Sequence, residues 1–213
     1  TALTKVSNET LEDGGVEVER LIAQDLADVI GREEDIKYLR GDGTGNSITG
    51  ILSQSGVMLD STTTTANGAT PTFDHLAAMI YGLDVVNVPN TRRAFICHPR
   101  ALNSLRKAKD SQGQYLWGDV RSSDPPAWWG IPFYTTTAIP INLTQGTSSD
   151  CTDIYLAEMP ELLIGQRKYV DLALSREAGS AFENDQTFVR AITREDFQMR
   201  HGASAIVLRG VRP

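Results

Sequence analysis

Val16-Glu17-Val18-Glu19-Arg20-Leu21-Ile22-Ala23-Gln24-Asp25-Leu26-Ala27-Asp28-Val29-Ile30-Gly31-Arg32-Glu33-Glu34-Asp35-Ile36-Lys37-Tyr38-Leu39-Arg40, running on through Gly41-Asp42-Gly43-Thr44-Gly45 to Gly50-Ile51-Leu52-Ser53, decides how the rest of the chain is read. Val18, Leu21, Ile22, Leu26, Val29, Ile30, Ile36 and Leu39 recur at steps of three or four, or adjoin such a position, which predicts one side of a single helix. From Val16 to Arg40 that helix would extend roughly 37 Å, long for a domain of this size, so it should act as a spine. Glu17, Glu19, Asp25, Asp28, Arg32, Glu33, Glu34, Asp35 and Lys37 fill its other faces, with the acids clustered toward the beginning and middle. Gly31 inside the pattern costs about 1 kcal/mol against Ala, which predicts a bend or a close neighbour there. Gly41, Asp42, Gly43 and Gly45 form the stop: the glycines can take positive φ, and Asp42 can bond the loop's own backbone.

A glycine-rich loop invites a phosphate reading, but phosphate loops follow a strand, open a helix and carry a Lys-Ser or Lys-Thr pair that is missing here. A calcium loop needs carboxylates at alternate positions and a closing Glu, and Asp42 has neither. The turn is read as structural.

Outward from the spine, Leu3 to Val6 alternates like a short strand, and Ser7 to Gly15 is read as a polar link. Asp60 to Gly68 is low in complexity and is read as a surface loop. Thr72 can cap a helix through Leu83, with Phe73, Leu76, Ala77, Ile80 and Leu83 on one face. Arg93 to Cys97 reads as a buried strand. Pro99 suits the first turn of a helix carrying Leu102, Leu105 and Ala108. Asp124-Pro125-Pro126 is a stiff link, and Ile131 to Thr136 resumes as strand, with Pro132 at an edge or first position. Asn142 to Asp150 is read as a polar loop and Ile154 to Ala157 as a short strand. Leu162 to Ile164 and Val170 to Ser175 read as two strands of a hairpin around Gly165-Gln166-Arg167-Lys168. Between Val189 and Met199 the parity is clear: Val189, Ala191, Thr193, Phe197 and Met199 face one way, and Arg190, Arg194, Asp196, Gln198 and Arg200 the other. Ile192 and Glu195 break the pattern. Ala203 to Leu208 is apolar enough to be covered on both faces. Strands and helices mix without regular alternation, so the fold class is α+β.

The chain has 213 residues, 40% hydrophobic and 22% charged, ample for one large domain or two modest ones. A net charge of −7 argues against a nucleic-acid-binding surface, which needs clustered Lys and Arg. Cys97 and Cys151 stand apart with no metal spacing, so reduced thiols are expected. No apolar run is long enough for a transmembrane helix, and none resembles a leader. The chain opens at Thr1 in a strand-like stretch, which reads as a processed or truncated product. His75, His98 and His201 lie in no metal or catalytic motif, and His98 is a natural residue to precede a helix starting at Pro99. No catalytic residue, cofactor site or metal site is assigned. Trp117, Trp128 and Trp129, with Tyr115, are the main aromatic concentration. They are read as core residues or as interface anchors.

Four stretches, in order, resemble a known family. These are Glu33-Glu34-Asp35-Ile36-Lys37-Tyr38-Leu39-Arg40-Gly41-Asp42-Gly43-Thr44-Gly45 with Gly50-Ile51-Leu52, Lys107-Ala108-Lys109-Asp110-Ser111-Gln112-Gly113-Gln114-Tyr115-Leu116-Trp117-Gly118, Trp128-Trp129-Gly130-Ile131-Pro132-Phe133, and Phe188-Val189-Arg190-Ala191-Ile192-Thr193-Arg194-Glu195 with Ala205-Ile206-Val207-Leu208-Arg209-Gly210. Together they resemble the major capsid proteins of tailed double-stranded DNA bacteriophages, of the Hong Kong 97 type. The resemblance implies a long spine helix with peripheral and axial subdomains and mixed sheets: residues 1–70 peripheral, 71–156 axial, 157–202 peripheral again and 203–213 the final axial strand. It implies a structural protein, not an enzyme, that forms pentamers and hexamers and closes an icosahedral shell around double-stranded DNA without sequence-specific contact. Scaffold, portal and maturation protease are the further implied partners, with no membrane. The implied place is the virion, assembled in the bacterial host cytoplasm.

In a shell, Arg190, Arg194, Arg200, Trp117, Trp128 and Trp129 become the candidate assembly contacts, and the acidic side of the spine is one candidate partner for the arginines. Some members weld subunits by a Lys to Asn bond. The Asn position appears here as Ala191, and the loop that would bring the Lys is not among these residues, so no catalytic residue is carried over. An encapsulin-like compartment shell and a small soluble enzyme are the alternative readings.

Overall fold

The computed structural model describes residues 1–60, 66–117 and 127–212, and the backbone alone of residues 15 and 16. Strand β1 (Ala2–Ser7) leads straight into α1 (Asn8–Arg40), a helix of 33 residues and about 50 Å. The helix starts eight residues before the expected Val16. Its first residue is held from far away: the Asn8 amide nitrogen donates to the Asp185 carbonyl at 3.0 Å, its side-chain amide donates to the Asp185 carboxylate, and its Oδ1 accepts from Thr187 Oγ1 at 2.6 Å. Gly14 leaves the space that the Val18 side chain fills. Tertiary ties thus override the weak helix propensity of the Gly14-Gly15 stretch.

Strand β9 (Gln186–Met199) lies between β1 and β8 (Leu162–Ser175) in an antiparallel three-stranded sheet. The alternation read from the sequence is borne out at nine of its ten positions: Val189, Ala191, Phe197 and Met199 are buried, Arg190, Arg194, Asp196, Gln198 and Arg200 are exposed, and Thr193 is only half-buried. Leu26 and Ile30 of α1 pack on Val189 and Ala191. Leu21 and Val29, expected on that same side, are exposed instead, because the sheet covers a narrower arc of the helix than the apolar stripe spans. The expected hairpin at Gly165 to Lys168 does not form. β8 runs through it as one strand, absorbing the extra residues as register irregularities between Gln166 and Asp171, and the chain reverses over residues 176–185. The close neighbour expected at Gly31 is not there: the helix continues through it, and nothing lies within 4 Å of where a Cβ would sit.

The second sheet has seven strands, β2 (Met58–Asp60), β10 (Ala205–Val211), β7 (Ser148–Glu158), β3 (Arg93–Cys97), β5 (Ile131–Thr135) and β4 (Ala127–Trp128) in that order, with β6 (Leu143–Gln145) paired to β7. Two pairings, β10 with β2 and β3 with β5, are parallel. β7 is longer than the short strand expected, and residues read as a polar loop form β6 and its turn. Pro132 is the second residue of β5 and faces only the two-residue β4, a position where a missing N–H is tolerated. Asp124-Pro125-Pro126 and residues 61–65 of the low-complexity stretch lie outside the described residues.

Side-chain alternation on β7 and β10 splits the core in two. Ile154, Leu156, Ile206 and Leu208 point to α2 (Phe73–Val85) and α3 (Pro99–Arg106), meeting Leu76, Met79, Leu83, Leu102 and Leu105. Tyr155, Ala157, Ala205 and Val207 point the other way, onto Leu39, Ile51, Phe197 and Met199. The last turns of α1 are therefore shared by both sheets. Thr72 caps α2 as expected, within a box in which the Thr72 N–H donates to His75 Nδ1 at 3.1 Å. His98 Nδ1 accepts the Arg100 N–H at 3.0 Å at the start of α3.

Candidate assembly surface

The predicted turn closes the spine by close approach. Gly41 has φ −54°, so its role is steric: a Cβ there would sit 2.0 Å from the Ile48 carbonyl oxygen. Gly43 and Gly45 do take positive φ, 70° and 61°. Asp42 accepts from the Thr44 N–H at 3.2 Å and the Thr44 hydroxyl at 2.7 Å, which with other local bonds holds its carboxyl below the usual range.

Arg40, at the end of α1, donates to the Asp153 carboxylate, and its guanidinium lies 3.4 Å from the Tyr155 hydroxyl. Burial pushes the Asp153 carboxyl above the usual range even with the guanidinium beside it. Across the large sheet, buried Glu158 accepts the Arg92 and Thr91 N–H groups at 2.9 and 3.2 Å, and buried Arg93 donates to Asp84 at 2.6 Å and to the Val88 carbonyl at 2.7 Å. None of these ion pairs was read from the sequence: Arg40 and Asp153 are 113 positions apart, and Asp84 and Arg93 lie on different elements with a turn between them.

At the spine's contact with β9, Glu34 meets Glu195 carboxyl to carboxyl, beside Tyr38, whose ring packs on Phe197 at 5.4 Å. This explains why Glu195 breaks the apolar face of β9: its partners are polar. Burial first and Glu195 second raise the Glu34 pKa, with Asp35 adding and Thr193 opposing. A carboxyl whose folded pKa is raised loses stability as pH climbs through the window above its ordinary value. Glu34→Gln should therefore melt higher than the parent at pH 8, with the difference vanishing by about pH 4. Thermal melts at the two pH values check this.

The three tryptophans separate. Trp128 stacks on Phe73 at 4.4 Å and Trp117 meets Phe133 edge-on at 5.0 Å, both half-buried against the first core cluster. Trp129 stacks outward on Trp128 at 5.4 Å, is 70% exposed, and sits at φ 48°, a left-handed conformation unusual for a bulky residue. With exposed Tyr134 and Arg92 it borders a cleft of about 380 Å³. Tyr134 was not singled out in the sequence, nor was Phe182, exposed in the loop between β8 and β9. An isolated aromatic among polar neighbours is the signal that could have found Phe182. Arg190, Arg194 and Arg200 are exposed and form no ion pair among the described residues. The three histidines are spent on the two helix starts and on a 2.7 Å contact between His201 Nδ1 and Glu161. Cys97 and Cys151 are buried free thiols, and burial pushes Cys97 up to about 12. Among the described residues no helix is long and apolar enough to cross a membrane, and no group of three or more His, Cys, Asp or Glu is placed to hold a metal ion.

The phage capsid family matches residues 1–210. The chain belongs to that family. Across 99% of this capsid-family chain, the major capsid protein of Klebsiella oxytoca phage phiKO2 is 24% identical, and the chain spans 51% of that relative's length. The fold is that of tailed-phage capsids. The capsid of a native GTA particle superposes with a TM-score of 0.75 at 19% identity, over 99% of this chain and 71% of the other. The SrpI encapsulin of Synechococcus elongatus PCC 7942 follows at 0.66 and 12%, over 99% and 72%.

Proposed function

We propose that the chain is the shell-forming part of a tailed-phage or prophage major capsid protein, which tiles an icosahedral shell of pentamers and hexamers around double-stranded DNA. The family match over residues 1–210 carries this reading. The likeness to an encapsulin, at 12% identity, is one of fold alone. Residues 71–156 and 203–213 are assigned to the axial subdomain and residues 1–70 and 157–202 to the peripheral one, with β2 (Met58–Asp60) reaching from the peripheral part to pair with β10 in the large sheet. The role is structural, without catalysis. Scaffold, portal and maturation protease are the assigned partners, and assembly takes place in the host cytoplasm before the shell becomes part of the virion. The net charge of −7 suits a wall that does not grip the DNA it encloses.

A rigid spine shared by two cores lets one subunit meet neighbours at the slightly different angles of five- and six-membered rings. Trp129, stacked on Trp128 by one face and otherwise open to solvent, is the aromatic anchor for a neighbour. Light scattering of the full gene product, with negative-stain microscopy of any large peak, should show rings or shells; a strict monomer under every salt and crowding condition would overturn the reading. Trp129→Ala should raise the concentration needed for assembly about 30-fold, as removal of a 2 kcal/mol anchor does, with the subunit still folded. Arg194→Glu should also weaken assembly. It should leave the subunit intact, because Arg194 lies opposite Lys168 on β8 and the new carboxylate gains a partner there.

A further inference from the structure

Two residues have no account within the subunit. Gly31 lies mid-helix with open space where a Cβ would be, on the side of α1 away from Leu26 and Ile30. Ile192 is a half-buried apolar residue on the outward, charged face of β9, between exposed Arg190 and Arg194. A helix tolerates Gly where another backbone or side chain must come close, and an apolar residue sits in a charged row where something covers it. Inside the subunit nothing comes within 4 Å of the Gly31 Cβ position, and Ile192 is only half-buried.

We infer that the two answer each other between copies: Ile192 of one subunit seats over Gly31 of the next. Gly31 floors a groove of about 600 Å³ walled by Pro99 and Thr136, and Asp28, Arg32 and Asp35 fall on the same helical stripe. The stripe reads minus, plus, minus. On the outer face of the sheet, Arg190 and Arg194 flank Ile192, and Asp171 of β8 lies directly opposite Ile192, so that surface reads plus, minus, plus. The outer charges stand about 10 Å apart on the helix and about 13 Å apart on the strand, close enough for side chains to adjust. Asp28, Arg32, Asp35, Arg190 and Arg194 form no ion pair among the described residues, while Asp171 is held by Lys168.

The contact joins two different surfaces of the same chain, and such head-to-tail contacts generate rings. It rests on the shell reading above and names which surfaces meet.

The test is assembly of the full gene product across a concentration series, followed by light scattering, with thermal melting as the fold control. Gly31→Leu fills the groove floor in open space and replaces a poor helix former, so the subunit should melt higher while the concentration needed for assembly rises more than about tenfold. Adding Ile192→Ala to Gly31→Leu, which moves the bulk from one surface to the other, should recover most of that loss. Asp28→Lys with Asp35→Lys should block assembly, and adding Arg190→Glu with Arg194→Glu should restore it. Wild-type assembly that persists unchanged in Gly31→Leu and in Asp28→Lys/Asp35→Lys overturns this contact and leaves the shell reading standing. A wild type that never assembles removes the shell reading itself, and this contact with it.

Discussion

Asp153→Ala is expected to destabilise the subunit by about 3–5 kcal/mol, since removing one member of a buried ion pair strands the other. Asp153 is 1% exposed, and Arg40 reaches it from the last residue of α1. Among the described residues the guanidinium then keeps only Tyr155 Oη at 3.4 Å, and the desolvation that the carboxylate had offset goes uncompensated. Urea unfolding should show a lower midpoint with an unchanged slope. The double change Arg40→Met with Asp153→Leu should recover most of the loss, because burying two apolar groups of similar size avoids desolvating charges. A single change that costs less than about 1 kcal/mol would mean that water already reaches the pair. The pH dependence has a definite sign. Burial raises the Asp153 carboxyl, so the fold prefers its neutral form, and this residue's contribution declines as pH rises through that window. The pair therefore fixes where the spine ends against the large sheet more than it adds net stability.

That pairing also marks where sequence reasoning runs out. β9 was legible because α1 covers one of its faces and leaves the other open, so burial and sequence share a period of two. β3 was legible because all five of its residues are apolar or paired inside the sheet. The turn after α1 was legible from composition, although Gly41 serves by closeness and not by positive φ. By contrast, the start of α1 depends on Asn8 meeting Asp185 and Thr187 across nearly the whole chain, and no local propensity encodes that. Gly165 to Lys168 has the composition of a turn, yet pairing with β9 on both sides of it keeps the strand running. Among the candidate contacts, residue type alone does not separate the tryptophans by exposure. Trp117 and Trp128 lie in the subunit's own aromatic stack, which leaves Trp129 as the tryptophan that a neighbour can reach.

Gly50→Ala should cost about 3 kcal/mol, the upper range for forcing extra atoms into a packed site. A Cβ there would lie 2.5 Å from the Gly41 nitrogen, 2.5 Å from the Lys37 carbonyl oxygen and 2.7 Å from the Arg40 nitrogen, all main-chain atoms of the spine's last turn. Backbone cannot swing aside as a side chain can. The Gly50 N–H donates to the Gly41 carbonyl at 2.9 Å, and Asp42 bridges Thr49, so relief of the clash must break the small antiparallel loop that terminates α1. Ile51 follows immediately and enters the same buried cluster as Leu39, so the displacement would carry into the core beneath. Gly45→Ala is the control. Gly50 has φ −74°, whereas Gly45 has positive φ and nothing within 4 Å of a Cβ, so its cost should be only the left-handed penalty of about 1–2 kcal/mol. Urea unfolding of both variants separates closeness from conformation. If Gly45→Ala were the more damaging of the two, the turn would be held by its φ values and not by the contact between Gly41 and Gly50. Because Arg40 directly precedes Gly41, the Gly50→Ala protein should also lose the Arg40 to Asp153 pair, so its deficit and that of Asp153→Ala should add to less than their sum in the double variant.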